Sequence, residues 1–164
     1  MAHAGILSTV FIRKNLIANL KAQEKQAAIQ EMIARLNDSG AVEPDQSPSV
    51  MKAILKREEM GSTGIGRGIA VPHAKTSAVK KVVGVLAVSP AGIDFDALDG
   101  QPVQAIFLVL SPPDAPEEHI QVLRRITEMM RDEDLSRFLR STKDEKSLVE
   151  LLVEADEKLA AMRR

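Results

Sequence analysis

Val103-Gln104-Ala105-Ile106-Phe107-Leu108-Val109-Leu110 is an almost unbroken apolar run rich in branched side chains. A strand with one wet face alternates apolar and polar residues, whereas a run without alternation needs cover on both faces. Val82-Val83-Gly84-Val85-Leu86-Ala87-Val88 has the same character. Two such runs predict sheet sandwiched between helices. Ile69-Ala70-Val71 and Ile93-Asp94-Phe95 are candidate shorter strands, and Leu98-Asp99-Gly100-Gln101 reads as a turn between pieces of sheet. Leu16-Ile17-Ala18-Asn19-Leu20 is a further short strand candidate.

Helical patterns lie on either side. Ile29, Met32, Ile33 and Leu36 recur at i, i+3, i+4 and i+7, and Asn37-Asp38-Ser39-Gly40 supplies a stop. Ser47 reads as an N-cap with Pro48 at the first helical position of a helix running to about Met60 and ended by Gly61. After the loop Ser111-Pro112-Pro113-Asp114, Asp114 and Glu117 fit a capping box for a helix reaching about Arg131. Leu135, Phe138 and Leu139 suggest a short helix, and Thr142 with Glu145 caps a last one carrying Leu148, Leu151, Leu152 and Leu159. The expected class is α/β: a single-domain sandwich with a central mixed β-sheet flanked by helices.

Composition bounds the function. At 164 residues, 45% hydrophobic and 27% charged, the chain suits one soluble domain with a sizeable core. A net charge of −1 argues against nucleic-acid binding, which favours a strongly basic face. No cysteine is present, which excludes disulfides, thiol catalysis and thiolate metal sites. Met1 to Val10 lacks a signal-peptide pattern, and no segment nears the ~20 apolar residues of a membrane span. A cytoplasmic protein without direct membrane insertion is expected.

Chemistry concentrates in Gly61-Ser62-Thr63-Gly64-Ile65-Gly66-Arg67-Gly68-Ile69-Ala70-Val71-Pro72-His73-Ala74-Lys75. Four glycines in eight residues allow backbone N–H groups to be presented at close range. Pro72 fixes the chain just before the imidazole of His73. The stretch is neither a P-loop nor a dinucleotide fingerprint, because the glycine spacing is wrong and no Gly-Lys-Ser/Thr follows. Arg57 falls on the apolar stripe of Val50, Ala53 and Ile54, at the last turn before the glycines. Spacing leaves two readings open: a guanidinium aimed at whatever the loop binds, or a stem laid over the core with its head in water. His119 heads the stripe of Leu123, Ile126 and Met130 near a helix N-terminus, so it is either an anion contact or a buried structural histidine.

The block from Arg57-Glu58-Glu59-Met60 through Gly61-Ser62-Thr63-Gly64-Ile65-Gly66 to Pro72-His73 resembles the active-site signature of enzyme IIA domains of the fructose/mannitol class (EIIA type-2). These belong to the phosphoenolpyruvate-dependent sugar phosphotransferase system. The likeness extends to Leu20-Lys21-Ala22-Gln23-Glu24-Lys25, to Ile93 through Val103, and to His119-Ile120-Gln121-Val122-Leu123. It implies a domain over residues 16–156, with an N-terminal extension 1–15 and a C-terminal tail 157–164. The stand-alone nitrogen-regulatory IIA proteins are the most similar branch.

The resemblance implies that His73 takes a phosphoryl group from the phosphocarrier protein HPr or its nitrogen-branch relative, at Nε2 in this family. It implies that His119 is the second active-site histidine, contacting the phosphoryl group without carrying it, and that Arg57 is the arginine beside the site. Ala74 stands where the family often has glycine; both are small. Loop N–H groups of Gly61, Ser62, Thr63, Gly64 and Gly66 are expected to share in an anion hole. No metal or other cofactor is expected, since histidine-to-histidine transfer leaves no ATP tail to neutralise. The output is expected to be regulation of a target protein by phosphorylation state. Transfer to a cysteine on a sugar-specific IIB domain, or a module that only binds partners, are the alternatives. A metal site on His73 and His119 lacks a third ligand at suitable spacing.

Overall fold

The computed structural model describes residues 5–162. Six helices and six strands follow one another as α1 (Ile6–Val10), β1 (Leu16–Ile17), α2 (Lys25–Asp38), α3 (Ser47–Glu59), β2 (Gly64–Gly66), β3 (Ile69–Ala70), β4 (His73–Lys75), β5 (Val83–Ile93), β6 (Val103–Ser111), α4 (Pro116–Arg131), α5 (Glu133–Ser141) and α6 (Glu145–Met162). The strands form one mixed sheet in the order β1-β5-β6-β3-β2, with β4 also paired to β6. β5 and β6 are antiparallel, while β1 runs parallel to β5 and both β3 and β4 run parallel to β6.

The two long apolar runs form the centre of this sheet, and their side chains divide between two cores. Ala105, Phe107 and Val109 of β6 join α1, α4, α5 and α6 residues on one face. Ile106, Leu108 and Leu110 join α2 and α3 residues on the other. Alternation of side chains across a strand therefore feeds apolar groups to both layers, which is why the run shows no polar beat.

Several local expectations are corrected. Ser47 is not the cap of α3: a 3₁₀ turn over Pro44–Gln46 leads directly into the helix, and the Ser47 hydroxyl hydrogen-bonds Asn37 Oδ1 at 3.0 Å. Asp114 does not cap α4, whose N-cap is Ala115 without a side-chain bond. Asp144 rather than Thr142 caps α6, accepting the Ser147 N–H at 2.7 Å. Ile93 closes β5 instead of opening a strand of its own, since Asp94 and Phe95 leave the sheet. Ser111 is the last residue of β6 and not part of the following loop.

The chain ends are integrated as far as they are described. Residues 1–4 and 163–164, parts of the expected extension and tail, lie outside the described residues. Within 1–15, Leu7, Val10 and Phe11 are buried. Asp156 of α6 accepts the backbone N–H groups of Leu7 and Ser8 at 3.0 and 2.9 Å, which ties α1 to α6. The Phe11 ring stands edge-on to Phe107 at 5.2 Å, over the space left by Gly84. Within 157–164, α6 continues to Met162 with Leu159 buried. Among the described residues no helix is long and apolar enough to cross a membrane.

Candidate functional site

Pro72 splits what would otherwise be one strand along β6. Ile69 and Ala70 pair with Ala105 and Ile106, and His73 to Lys75 pair with Val109 to Ser111. Between them Val71 gives its N–H to Thr63 of the glycine loop at 3.0 Å, and Pro72 has none to give. The break lifts His73 at the start of β4, half-buried, beside the carboxyl end of β6.

The ring of His73 is fixed by its own backbone. Nδ1 lies 2.7 Å from the Val71 carbonyl oxygen. A carbonyl only accepts, so Nδ1 carries the hydrogen and Nε2 keeps a lone pair. Burial lowers the His73 pKa below 6.5; the Val71 carbonyl opposes this, Arg57 adds to it, and Glu58 works against it.

His119 arrives from the first turns of α4. It is only 6% exposed, and the centroid of its ring lies 5.5 Å from that of His73 at a tilt of 57°. The Ser111 hydroxyl lies 2.5 Å from its Nδ1. Burial first, then the charges of His73 and Lys75, push its pKa down to about 4. It is therefore neutral near pH 7.

Arg57 closes the site from the last turn of α3. Its Nη1 donates to the Gly61 carbonyl at 2.8 Å, which turns the guanidinium toward the loop. Its side chain is partly exposed, and its charge adds to the lowering of the His73 pKa.

The glycine loop differs from the expected cradle of free amides. Gly61 donates its N–H to the Glu58 carbonyl at 3.1 Å, Thr63 to the Glu58 carboxylate at 3.1 Å, and Gly64 to the Ser62 hydroxyl at 3.0 Å. The Ser62 hydroxyl in turn donates to the Phe95 carbonyl at 2.6 Å. Gly64 and Gly66 form β2, paired antiparallel with β3. Three of these amides are thus committed, two of them to Glu58 of α3, which ties the loop to that helix as a wall. Gly66 and Gly68 hold φ of +108° and +76° at the hairpin, a conformation glycine adopts without strain. Arg67, at +58°, takes it without that freedom.

Sequence reasoning missed the group that stiffens this wall. Glu58 has a nearly buried carboxylate, bonded to the Thr63 hydroxyl and N–H and paired with Lys25 Nζ at 2.9 Å. Its signal was legible: Val50, Ile54 and Glu58 fall at i, i+4 and i+8, which puts an acid on the buried stripe. Ser111 left a fainter one, a polar residue ending an apolar strand. Among the described residues no group of three or more His, Asp or Glu side chains could hold a metal ion.

Residues 10–155 match the family model described as "Phosphoenolpyruvate-dependent sugar phosphotransferase system, EIIA 2". A nitrogen regulatory protein of Bradyrhizobium diazoefficiens is 34% identical over 137 residues, covering 84% of this chain and 88% of that protein. The crystal structure of nitrogen regulatory protein IIA-Ntr from Neisseria meningitidis shares the fold with a TM-score of 0.81 at 24% identity, over 90% of this chain and 99% of that one. The crystal structure of IIA mannitol from Escherichia coli aligns with a TM-score of 0.71 at 30% identity, over 85% and 96%.

Proposed function

Because the chain belongs to the EIIA 2 family of the phosphoenolpyruvate-dependent sugar phosphotransferase system, we propose that it is a phosphohistidine relay with His73 as its acceptor. The observation that carries this is the unprotonated Nε2 of His73, set by the Val71 carbonyl and placed beside Arg57 and His119. The donor is a phosphorylated carrier of the HPr type, from the sugar or the nitrogen branch.

In the transfer, the Nε2 lone pair of His73 forms the new N–P bond as the carrier's N–P bond breaks. That electron pair returns to the carrier's ring nitrogen. Each ring keeps the hydrogen on its other nitrogen, so no proton changes hands. His73 gains positive character as it is phosphorylated, and the Nδ1–H bond to Val71 strengthens accordingly. The protein's part is positioning and charge stabilisation over the equatorial oxygens, given to Arg57 and His119. The loop contributes shape. Met60, just before the loop, and Leu98, whose N–H bonds the Gly64 carbonyl, are 80% and 78% exposed and offer apolar contacts to an arriving carrier.

The output is regulatory in this reading. A dianionic group at His73 alters the charge of the face a target protein meets, and the nitrogen regulatory relative supports that branch. Such a relay works in the cytoplasm, where its carrier is found. Transport is the second reading, favoured by the likeness to IIA mannitol. Incubation with phosphorylated HPr should label the wild type and leave His73→Ala unlabelled; undiminished labelling of the variant contradicts the assignment. The loaded protein should then transfer poorly to a fructose- or mannitol-type IIB domain. Rapid transfer to the IIB cysteine would favour transport.

A further inference from the structure

Two imidazoles face one another at this site, and something must decide which of them takes the phosphoryl group. Ser111, fully buried at the end of β6, lies with its hydroxyl 2.5 Å from Nδ1 of His119. Its place is fixed by the sheet: Lys75 of β4 is its strand partner, and its carbonyl accepts the Thr76 N–H at 2.8 Å. The same short strand begins at His73, so the two rings are referenced to one ladder.

A hydroxyl and an imidazole can pair in two ways. If Nδ1–H donated to Ser111, the hydroxyl hydrogen would need another acceptor. Among the described residues Ser111 Oγ has no second partner. If the hydroxyl donates to Nδ1, both buried atoms are satisfied by the one bond.

We infer that Ser111 is a positioning residue that donates to Nδ1 of His119 and thereby holds it as the Nε2–H tautomer, opposite to that of His73. The inference rests on the reading of His73 as acceptor. The Val71 carbonyl leaves His73 with a nucleophilic lone pair at Nε2, while the Ser111 hydroxyl leaves His119 with a hydrogen there. His119 is then unable to compete for phosphorus. It can stabilise negative oxygen only as a donor, and the other tautomer would aim a lone pair at the phosphoryl group.

Ring ¹⁵N NMR of the unphosphorylated wild type at pH 7.5 should show Nε2–H at His119 and Nδ1–H at His73. Nδ1–H at His119 overturns the inference, and this reading needs no variant to fold. Ser111→Ala should mix the His119 tautomers and slow acceptance from phosphorylated HPr roughly 10- to 100-fold, with His73 unchanged. Ser111→Thr should restore both. An Ala variant with wild-type rate and unaltered His119 signals would refute the assignment, as would a Thr variant with the wild-type tautomer but the slow rate. Failure of the wild type to accept phosphorus at all would fell the relay reading instead, leaving the tautomer result to stand by itself.

Discussion

The Nδ1 atom of His73 lies 2.7 Å from the carbonyl oxygen of Val71, two residues earlier in the chain. One backbone contact thereby chooses the nucleophilic nitrogen. It also makes a kinetic prediction, because burial and Arg57 hold the His73 pKa below 6.5. Acceptance measured with phosphorylated carrier well below saturation, which reports the free ring, should stay level as pH falls through 6.5 and decline only lower. An inflection at or above 6.5 would contradict the environment assigned to this ring.

His119 should leave its mark on stability. Its folded pKa of about 4 lies below the ordinary 6.5, so between those values the unfolded chain binds the extra proton. The stability contributed by the neutral ring is whole above pH 6.5 and drains away as pH falls toward 4, by about 3 kcal/mol in all. Urea unfolding of wild type and His119→Gln across that range should show a steeper acid loss in the wild type. Parallel curves would sink the idea.

Arg57→Lys should slow phosphoryl acceptance by at least about tenfold, because an ammonium cannot hold the Gly61 carbonyl and also present a planar fork to oxygen. Unfolding free energy should change by no more than about 0.5 kcal/mol, as the side chain is partly exposed. Equal rates would return Arg57 to a surface role.

Glu58→Gln keeps the shape of the side chain and removes its charge. Lys25 Nζ then loses the carboxylate 2.9 Å away, and the Thr63 clamp is weakened. A loss of about 2 kcal/mol is expected in chemical denaturation. A variant as stable as the wild type would show that the loop is held by Ser62 and β2 alone.

The layered sheet was legible because continuous apolar strands leave a one-dimensional trace. His73, His119 and Arg57 were picked out by motif and periodicity as candidates, and the fold brings the two rings to 5.5 Å and Arg57 onto the glycine loop. The short strands β2 and β4 were not: Gly64–Gly66 has glycines where strand propensity would show, and His73–Lys75 is defined only by its partner β6. The commitment of the loop amides was also hidden. It depends on Glu58 and Phe95 reaching the loop from other elements, which only the folded chain reveals. Cap residues misled for a related reason, since Ser47 and Thr142 found side-chain and carbonyl partners elsewhere.

The most direct test loads ¹⁵N-labelled protein from phosphorylated HPr and follows phosphorus–nitrogen coupling in the histidine rings. A single acid-labile phosphoryl group bonded to Nε2 of His73, with His119 unmodified, is the expected result. Phosphorus on Nδ1 of His73, or on His119, would contradict it.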